Sequence, residues 1–252
     1  MYEILMPIYK HYNSKMRVAG FMSGTGSVLK KIIEGENGYK VVVIFSDNFN
    51  SNACLIGKEH DIPVVIRDLN SYCSKRKTSR YNLNIRKDFD KETVKILECF
   101  HISVIAYAGY MSLVTSILID NFIGVNVHPA DLSILDNNGN RKYTGATAVG
   151  DAIREGETYI RSTSHLLTEE VDGGPILMIS KPLRVTFKTF INPSNNINND
   201  MINFNQSELK KVGDYVIFPL TLRYISEGRF SKDPDNNIYF NDQFMKNGIK
   251  LW

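Results

Sequence analysis

The sequence predicts an α/β fold, a twisted and mostly parallel sheet flanked by helices. Three observations predict it. From residue 16 to residue 127, short apolar runs alternate with stretches of helical periodicity. A glycine loop, SGTGS at 23–27, separates the first apolar run from the first helical pattern. Strands that alternate with helices pair in parallel through right-handed crossovers, because each helix returns the chain to the same end of the sheet. Finally, 252 residues with 43% hydrophobic content suffice for a sizeable buried core.

The elements follow in order. MRVAGFM at 16–22 reads as the first strand and 28–33 as the first helix. A strand at 39–45, a helix at 51–59 and a strand at 63–66 repeat the unit. The polar stretch 70–84 reads as a loop, 90–100 as a helix, 102–107 as a buried strand, 112–121 as a short helix and 123–127 as the next strand. DNNGNR at 136–141 is a turn-rich loop before a helix at 147–155. Runs at 160–168 and 175–185 form a hairpin-type pair around a VDGG turn. The segment 192–205 is rich in Asn and lacks apolar periodicity, so it reads as a surface insertion. Helical spacing resumes over 208–227 in Leu209, Val212, Val216, Leu220 and Tyr224; Pro219 is placed to kink this helix and Gly228 to stop it. The tail offers at most a small strand pair, and the first fifteen residues a short strand or helix. No repeat or linker divides the chain, so 1–252 is expected to be one domain, with a phosphate-binding half at about 16–107, a second half at about 108–230 and a short tail.

Charge and cysteine content exclude several function classes. The 30 basic and 27 acidic residues leave a formal charge of +3, too small a surplus to argue for nucleic acid. The basic cluster Lys75, Arg76, Lys77 and Arg80 reads as solvated loop surface. Cys54, Cys73 and Cys99 are odd in number and widely spaced, which suits neither a disulfide framework nor a paired-ligand zinc site. No apolar run approaches the roughly 18 to 20 residues of a membrane span, and the N-terminus lacks the apolar core of a signal peptide. A cytoplasmic protein with no membrane or nucleic-acid partner is expected; nothing in the pattern sets an oligomeric state.

Two sites carry chemistry. In the loop, Gly24, Thr25, Gly26 and Ser27 lie between a strand and a helix N-terminus, where backbone N–H groups and the helix dipole favour a phosphate. The same loop also reads as a ligand-free turn or as the start of a dinucleotide fingerprint. The third fingerprint glycine is replaced by Leu29, although Asp47 stands where a ribose-binding acid is expected. The second site is GVNVHP at 124–129 with VDGGP at 171–175, which places Asn126, His128 and Asp172 at the ends of apolar runs. Singly they read as caps and turn residues. Together an amide donor, an imidazole and a carboxylate suit oxyanion stabilisation and proton transfer, with Asp172 favouring the protonated form of His128.

With both sites in place, the chain resembles the folate-dependent formyltransferases, within them the branch that acts on glycinamide ribonucleotide. SGTGS, AGYMS at 108–112, NVHPA at 126–130, YTG at 143–145, TSH at 163–165 and EEVDGGPIL at 169–177 carry the resemblance, in agreeing order. It implies a Rossmann-like formyltransferase fold and transfer of a formyl group from 10-formyltetrahydrofolate, without a metal, to a primary amine in purine synthesis. Asn126, His128 and Asp172 would be catalytic, Gly24 to Ser27 would receive the phosphate, and Asp214 would contact the ribose. Tyr110, Met111, Ser112 and Leu113, with Thr168, Glu169, Glu170, Val171, Gly173 and Gly174, would line the folate pocket, while His165 and Tyr143 would support the site. The chain departs from the pattern at Val28, where Asn is usual, and at Ser112, where Arg is usual. It also lacks a His in GATAV at 145–149 and has a longer loop before Tyr143. An acceptor such as a sugar nucleotide, a formyltetrahydrofolate hydrolase and, from another class, a nicotinamide-dependent dehydrogenase are the alternatives.

Overall fold

The computed structural model describes residues 5–10, 14–187 and 199–252. Along the chain lie β1 (Met6–Pro7), β2 (Met16–Met22), α1 (Ser27–Glu34), β3 (Tyr39–Ser46), α2 (Ala53–His60), β4 (Val64–Ile66), α3 (Leu69–Lys75) and α4 (Leu83–Glu98). Then come β5 (Val104–Tyr107), α5 (Ser116–Asn121), β6 (Ile123–His128), α6 (Ala148–Arg154), β7 (Tyr159–Ile160), β8 (Thr163–Leu166), β9 (Ile176–Ile179) and β10 (Leu183–Arg184). The last part holds α7 (Asn199–Leu209), a π-helical turn (Lys210–Asp214), α8 (Tyr215–Ser226), β11 (Phe230–Lys232), β12 (Ile238–Phe240), β13 (Gln243–Phe244) and β14 (Ile249–Lys250).

The principal sheet has eight strands in the order β14-β9-β8-β6-β5-β2-β3-β4. β8 is antiparallel to both neighbours and every other pairing in this sheet is parallel, as the alternation of strands and helices predicts. Side chains alternate across β2: Val18 packs with Leu29, Ile217 and Leu222 on one face, and Ala19 and Phe21 with Phe45, Phe89 and Leu118 on the other. Two covered faces explain why β2 and β3 read as nearly continuous apolar runs. Leu29, where a third fingerprint glycine would stand, packs over Gly20. A Cβ on Gly20 would lie 2.3 Å from Leu29 Cδ1, so the strand supplies the close approach instead.

Four sequence expectations need correction. Much of the loop expected at 70–84 is helical: Asp68 caps α3 by accepting from Ser71 N at 2.7 Å, and Asn82 caps α4 by accepting from Asn84 N and Ile85 N. The helix expected from residue 112 begins at Ser116, because buried Asp90 of α4 accepts from Thr115 N at 3.0 Å and Thr115 Oγ1 at 2.8 Å, holding the preceding segment outside the helix. Of the Asn-rich stretch, 192–198 lies outside the described residues, but Asn199–Leu209 is a helix. Its Asn205 is buried and bonded to Thr186 N, Thr186 O and Met201 O. The tail exceeds a strand pair: β1, β11, β12 and β13 make a second, antiparallel sheet, and β14 closes the edge of the principal sheet beside β9.

Candidate active site

β6 presents Asn126 and His128 two residues apart, hence on one face of the sheet. The antiparallel register with β8 sets His165 directly opposite Asn126. Asn126 Nδ2 lies 3.2 Å from His165 Nε2, and His165 Nδ1 lies 2.9 Å from Leu166 O. A carbonyl only accepts, so Nδ1 carries a proton; Nε2 accepts from Asn126 in the neutral ring and turns donor to Asp172 when the ring is protonated.

Asp172 comes from the turn between β8 and β9. Its backbone is left-handed, φ 52°, and Gly174 follows where a Cβ would lie 1.8 Å from Leu166 O. Only glycine admits that approach, which gives the VDGG motif its physical reason. The buried carboxylate of Asp172 accepts from Gly145 N at 2.7 Å through Oδ2, which is 3.3 Å from His128 Nδ1, while Oδ1 is 3.5 Å from His165 Nε2. Burial opposes its ionisation, yet His165, His128 and the Gly145 N–H outweigh burial and hold its pKa at about 2.

On its other side, His128 Nε2 lies 2.9 Å from Tyr143 O. Tyr143 is anchored by its hydroxyl, which donates to Glu157 at 2.9 Å. Burial is the largest influence on His128 and lowers its pKa, against the opposing pull of Asp172 and the Tyr143 carbonyl. Asp172 does favour the protonated imidazole, but desolvation outweighs its attraction. Both ring nitrogens nevertheless face oxygen acceptors, so a proton gained at this ring finds two hydrogen bonds waiting.

These groups open onto a cavity of about 410 Å³, within the range of small-molecule sites. Tyr110, Met111, Ser112 and Leu113 form one part of its wall, Thr168, Glu169, Glu170, Val171 and Asp172 another, and Asn126 and His128 lie between. Gly173 and Gly174 stand behind the wall. Of the glycine-loop region only Val28 reaches this cavity; Gly24 and Thr25 are exposed beside it, at the same carboxyl end of the sheet. Gly26 is left-handed, φ 69°, and caps α1 without a side-chain bond, leaving the first-turn N–H groups for a ligand.

Asp214 reaches the cavity wall as well. The π turn presses Gly213 against Ser162, where a Cβ would meet Ser162 Oγ at 2.3 Å, and Ser162 Oγ donates to Asp214 Oδ1 at 2.6 Å. Burial raises the Asp214 pKa to about 6, despite Ser162 and the charge of Lys210. Gln206 and Lys210 line the same wall and were missed from sequence. Their recurrence with Asp214 at every fourth position, 206, 210 and 214, was the available signal. The adjacent Lys211 does not line the cavity and pairs with Glu208 at 2.6 Å.

Asp47 is occupied elsewhere. Ser23 Oγ donates to its Oδ1 at 2.6 Å and Ser112 Oγ to its Oδ2, and the residue is buried. Ser112, standing where Arg is usual, in turn accepts from Arg80 at 2.9 Å. Among the described residues no group of three or more His, Cys, Asp or Glu is arranged to hold a metal, and no helix is long and apolar enough to cross a membrane. Cys54, Cys73 and Cys99 are unpaired thiols.

A cavity at the carboxyl ends of a mostly parallel sheet, with an amide, an imidazole and an ionised carboxylate at its wall and a second, buried imidazole within reach of the amide and the carboxylate, defines an enzyme site for small molecules. The profile of the formyl transferase family matches residues 16–189, and the chain belongs to that family: it is a formyltransferase. It is 26% identical over 235 residues to phosphoribosylglycinamide formyltransferase of Haemophilus influenzae, covering 91% of this chain and 95% of that one. The Escherichia coli enzyme of the same name is 23% identical over 216 residues, covering 85% and 89%. The fold is similar to the solved phosphoribosylglycinamide formyltransferase of Coxiella burnetii, with a TM-score of 0.74, 19% identity and coverage of 95% of this chain and 100% of that one. Glycinamide ribonucleotide transformylase 1 of Symbiobacterium toebii superposes with a TM-score of 0.71 at 21% identity, covering 91% and 95%.

Proposed function

We propose that this formyltransferase moves a formyl group from 10-formyltetrahydrofolate to the primary amine of glycinamide ribonucleotide, a step of purine synthesis. One observation carries the reading: Asn126, His128 and Asp172 meet at the cavity wall between the 110–113 and 168–172 segments and the Asp214 wall. The names of the relatives support the acceptor, and the cavity suits the donor. Tyr107, Tyr110, Val127 and Leu167 give it apolar surface, and the irregular segments 110–113 and 168–172 offer backbone polar groups.

The folate supplies an activated formyl group on nitrogen. The acceptor amine adds to the formyl carbon; the new C–N bond forms, the bond to the folate nitrogen breaks, and the amine proton ends on that departing nitrogen. Asn126 donates to the oxygen that becomes negative in between. Asp172, already ionised, relays the proton to His128, which burial keeps neutral beforehand, and returns it from the imidazolium to the departing folate nitrogen as the tetrahedral species collapses. The resulting imidazolium lies beside the oxyanion and donates to Asp172 and Tyr143 O. Gly24 to Ser27 and the N-terminus of α1 hold the acceptor's phosphate, and Asp214 its ribose hydroxyls. Holding both substrates in one cleft turns a bimolecular encounter into an oriented one. Asp47 is buried, each of its oxygens already accepts a hydroxyl, from Ser23 and Ser112, and it does not line the cavity, which disfavours the dehydrogenase alternative.

The test is tetrahydrofolate release from 10-formyltetrahydrofolate with a panel of amines. Release dependent on glycinamide ribonucleotide supports the proposal. Release without any amine indicates a hydrolase, and release with another amine alone reassigns the acceptor.

A further inference from the structure

The loop before Tyr143, longer than the family resemblance leads one to expect, forms a small arm with its own hydrogen bonding. Leu135 and Arg141 make an antiparallel bridge, Asp136 N donates to Asn140 O at 2.8 Å, and Lys142 N donates to Ile134 O at 3.0 Å. The Asp136 carboxylate closes the tip, accepting from Asn140 N at 2.8 Å and Asn138 N at 2.9 Å. Such an arm fixes the direction in which Arg141 leaves it.

Arg141 leaves it towards the VDGG turn. One guanidinium nitrogen donates to the backbone carbonyl of Asp172 and the other to that of Gly174, at 2.7 Å. The side chain is half-buried, faces the charges of Glu170 and Asp172, and does not line the cavity. The turn needs such a clamp: Thr168 to Val171 are exposed, and Asp172 holds a left-handed backbone that non-glycine residues rarely adopt. A planar fork bridging two carbonyls of one turn restricts it more than a single donor does.

We infer that Arg141 is a positioning residue for formyl transfer, clamping the turn so that the Asp172 carboxylate stays between His128, His165 and Gly145 N. The inference rests on the proposed role of Asp172. Arg141 itself touches neither the cavity nor the reacting atoms.

The experiment is a double-mutant cycle of Arg141→Ala with Asp172→Asn, read in kcat and in KM for both substrates. Wild-type activity is established first, because absent formyl transfer there overturns the functional reading and leaves the clamp to the second measurement below. Arg141→Ala is expected to lower kcat about 10- to 100-fold, the scale of a roughly 1 Å misplacement, and to have little further effect in the Asp172→Asn background. Guanidinium ion is expected to restore part of the loss, and Arg141→Lys to fall between. Independently of activity, NMR of unliganded Arg141→Ala is expected to show the Gly145 amide proton moving upfield and exchanging faster, since its hydrogen bond to the Asp172 carboxylate loosens. Equal losses in both backgrounds, or wild-type kcat with an unchanged Gly145 amide signal in folded Arg141→Ala, overturns the inference. If the alanine variant does not fold, Arg141→Lys and Arg141→Gln carry the same cycle.

Discussion

Ser162 Oγ donates to the buried Asp214 Oδ1 at 2.6 Å, from the strand side of the sheet to the π turn of the covering helix. One hydroxyl is little compensation for burying a carboxylate, and the raised pKa of about 6 records the shortfall.

Asp214 therefore makes the fold pH-sensitive in a defined window. Its folded pKa lies above the unfolded value, so its contribution is fully present below the unfolded pKa, near 4, and is lost as pH rises through about 6. At pH 7.5 the ionised group costs about 3 kcal/mol, from about 1.4 kcal/mol per pKa unit. Asp214→Asn is expected to stabilise the unliganded protein at pH 7.5 by about 1 to 3 kcal/mol, flatten the dependence between pH 4 and 6, and weaken acceptor binding. Urea denaturation at several pH values checks this. An unchanged slope between pH 4 and 6 would count against it.

Asp172→Asn is expected to lose about 100- to 10,000-fold in turnover, the range for a positioned proton-transfer group. Binding of the folate substrate, followed by equilibrium dialysis, should survive, since the apolar surface of Tyr107, Tyr110, Val127 and Leu167 and the rest of the 110–113 and 168–171 wall are unchanged. Near-normal turnover would sink the assignment.

Asn126→Ala removes the amide facing His165 and the proposed oxyanion donor together. kcat should fall about 100- to 1,000-fold with KM for both substrates little changed. A variant in which KM alone rises would make Asn126 a binding residue.

The pH profile should carry two distinguishable acid limbs. kcat/KM for the acceptor should rise through pH about 6 as Asp214 ionises, whereas kcat should follow the lowered pKa of His128 and lose activity at more acid pH. Asp214→Asn should remove the first limb and keep the second. A single limb common to both variants would contradict the assignment.

Gly174→Ala drives a Cβ against the Leu166 carbonyl, which the β8 and β9 strands hold in place. A loss of about 1 to 3 kcal/mol is expected, measurable as a lower melting temperature. Unchanged stability would mean that the turn yields easily.

Much of the fold was legible in residue pattern. β2 matches its expected span because seven residues with one exposed side chain cannot be anything but a buried strand in this context. α3 escaped notice because it is short, its start marked only by a capping Asp68 and its apolar stripe, Leu69, Tyr72 and Cys73, confined to one turn among polar residues. Asn205 misled in the opposite sense, since asparagine signals loops by composition yet here bridges the buried face of α7 to the segment after β10. β14 was invisible because its pairing partner, β9, lies about seventy residues earlier in the chain, and no local pattern encodes such a neighbour.

The sequence by itself determined the strand–loop–helix order, the parallel sheet, and the residue types able to donate, accept and relay at 126, 128 and 172. Tertiary structure alone decided that Asn126 faces His165, that Arg141 grips the Asp172 turn, that Lys210 and not Lys211 reaches the cavity, and that Asp47 is already occupied. It also set the protonation of the site. Desolvation lowers His128 and raises Asp214, while neighbouring donors and charges lower Asp172, and each of these depends on what folding brings alongside the group.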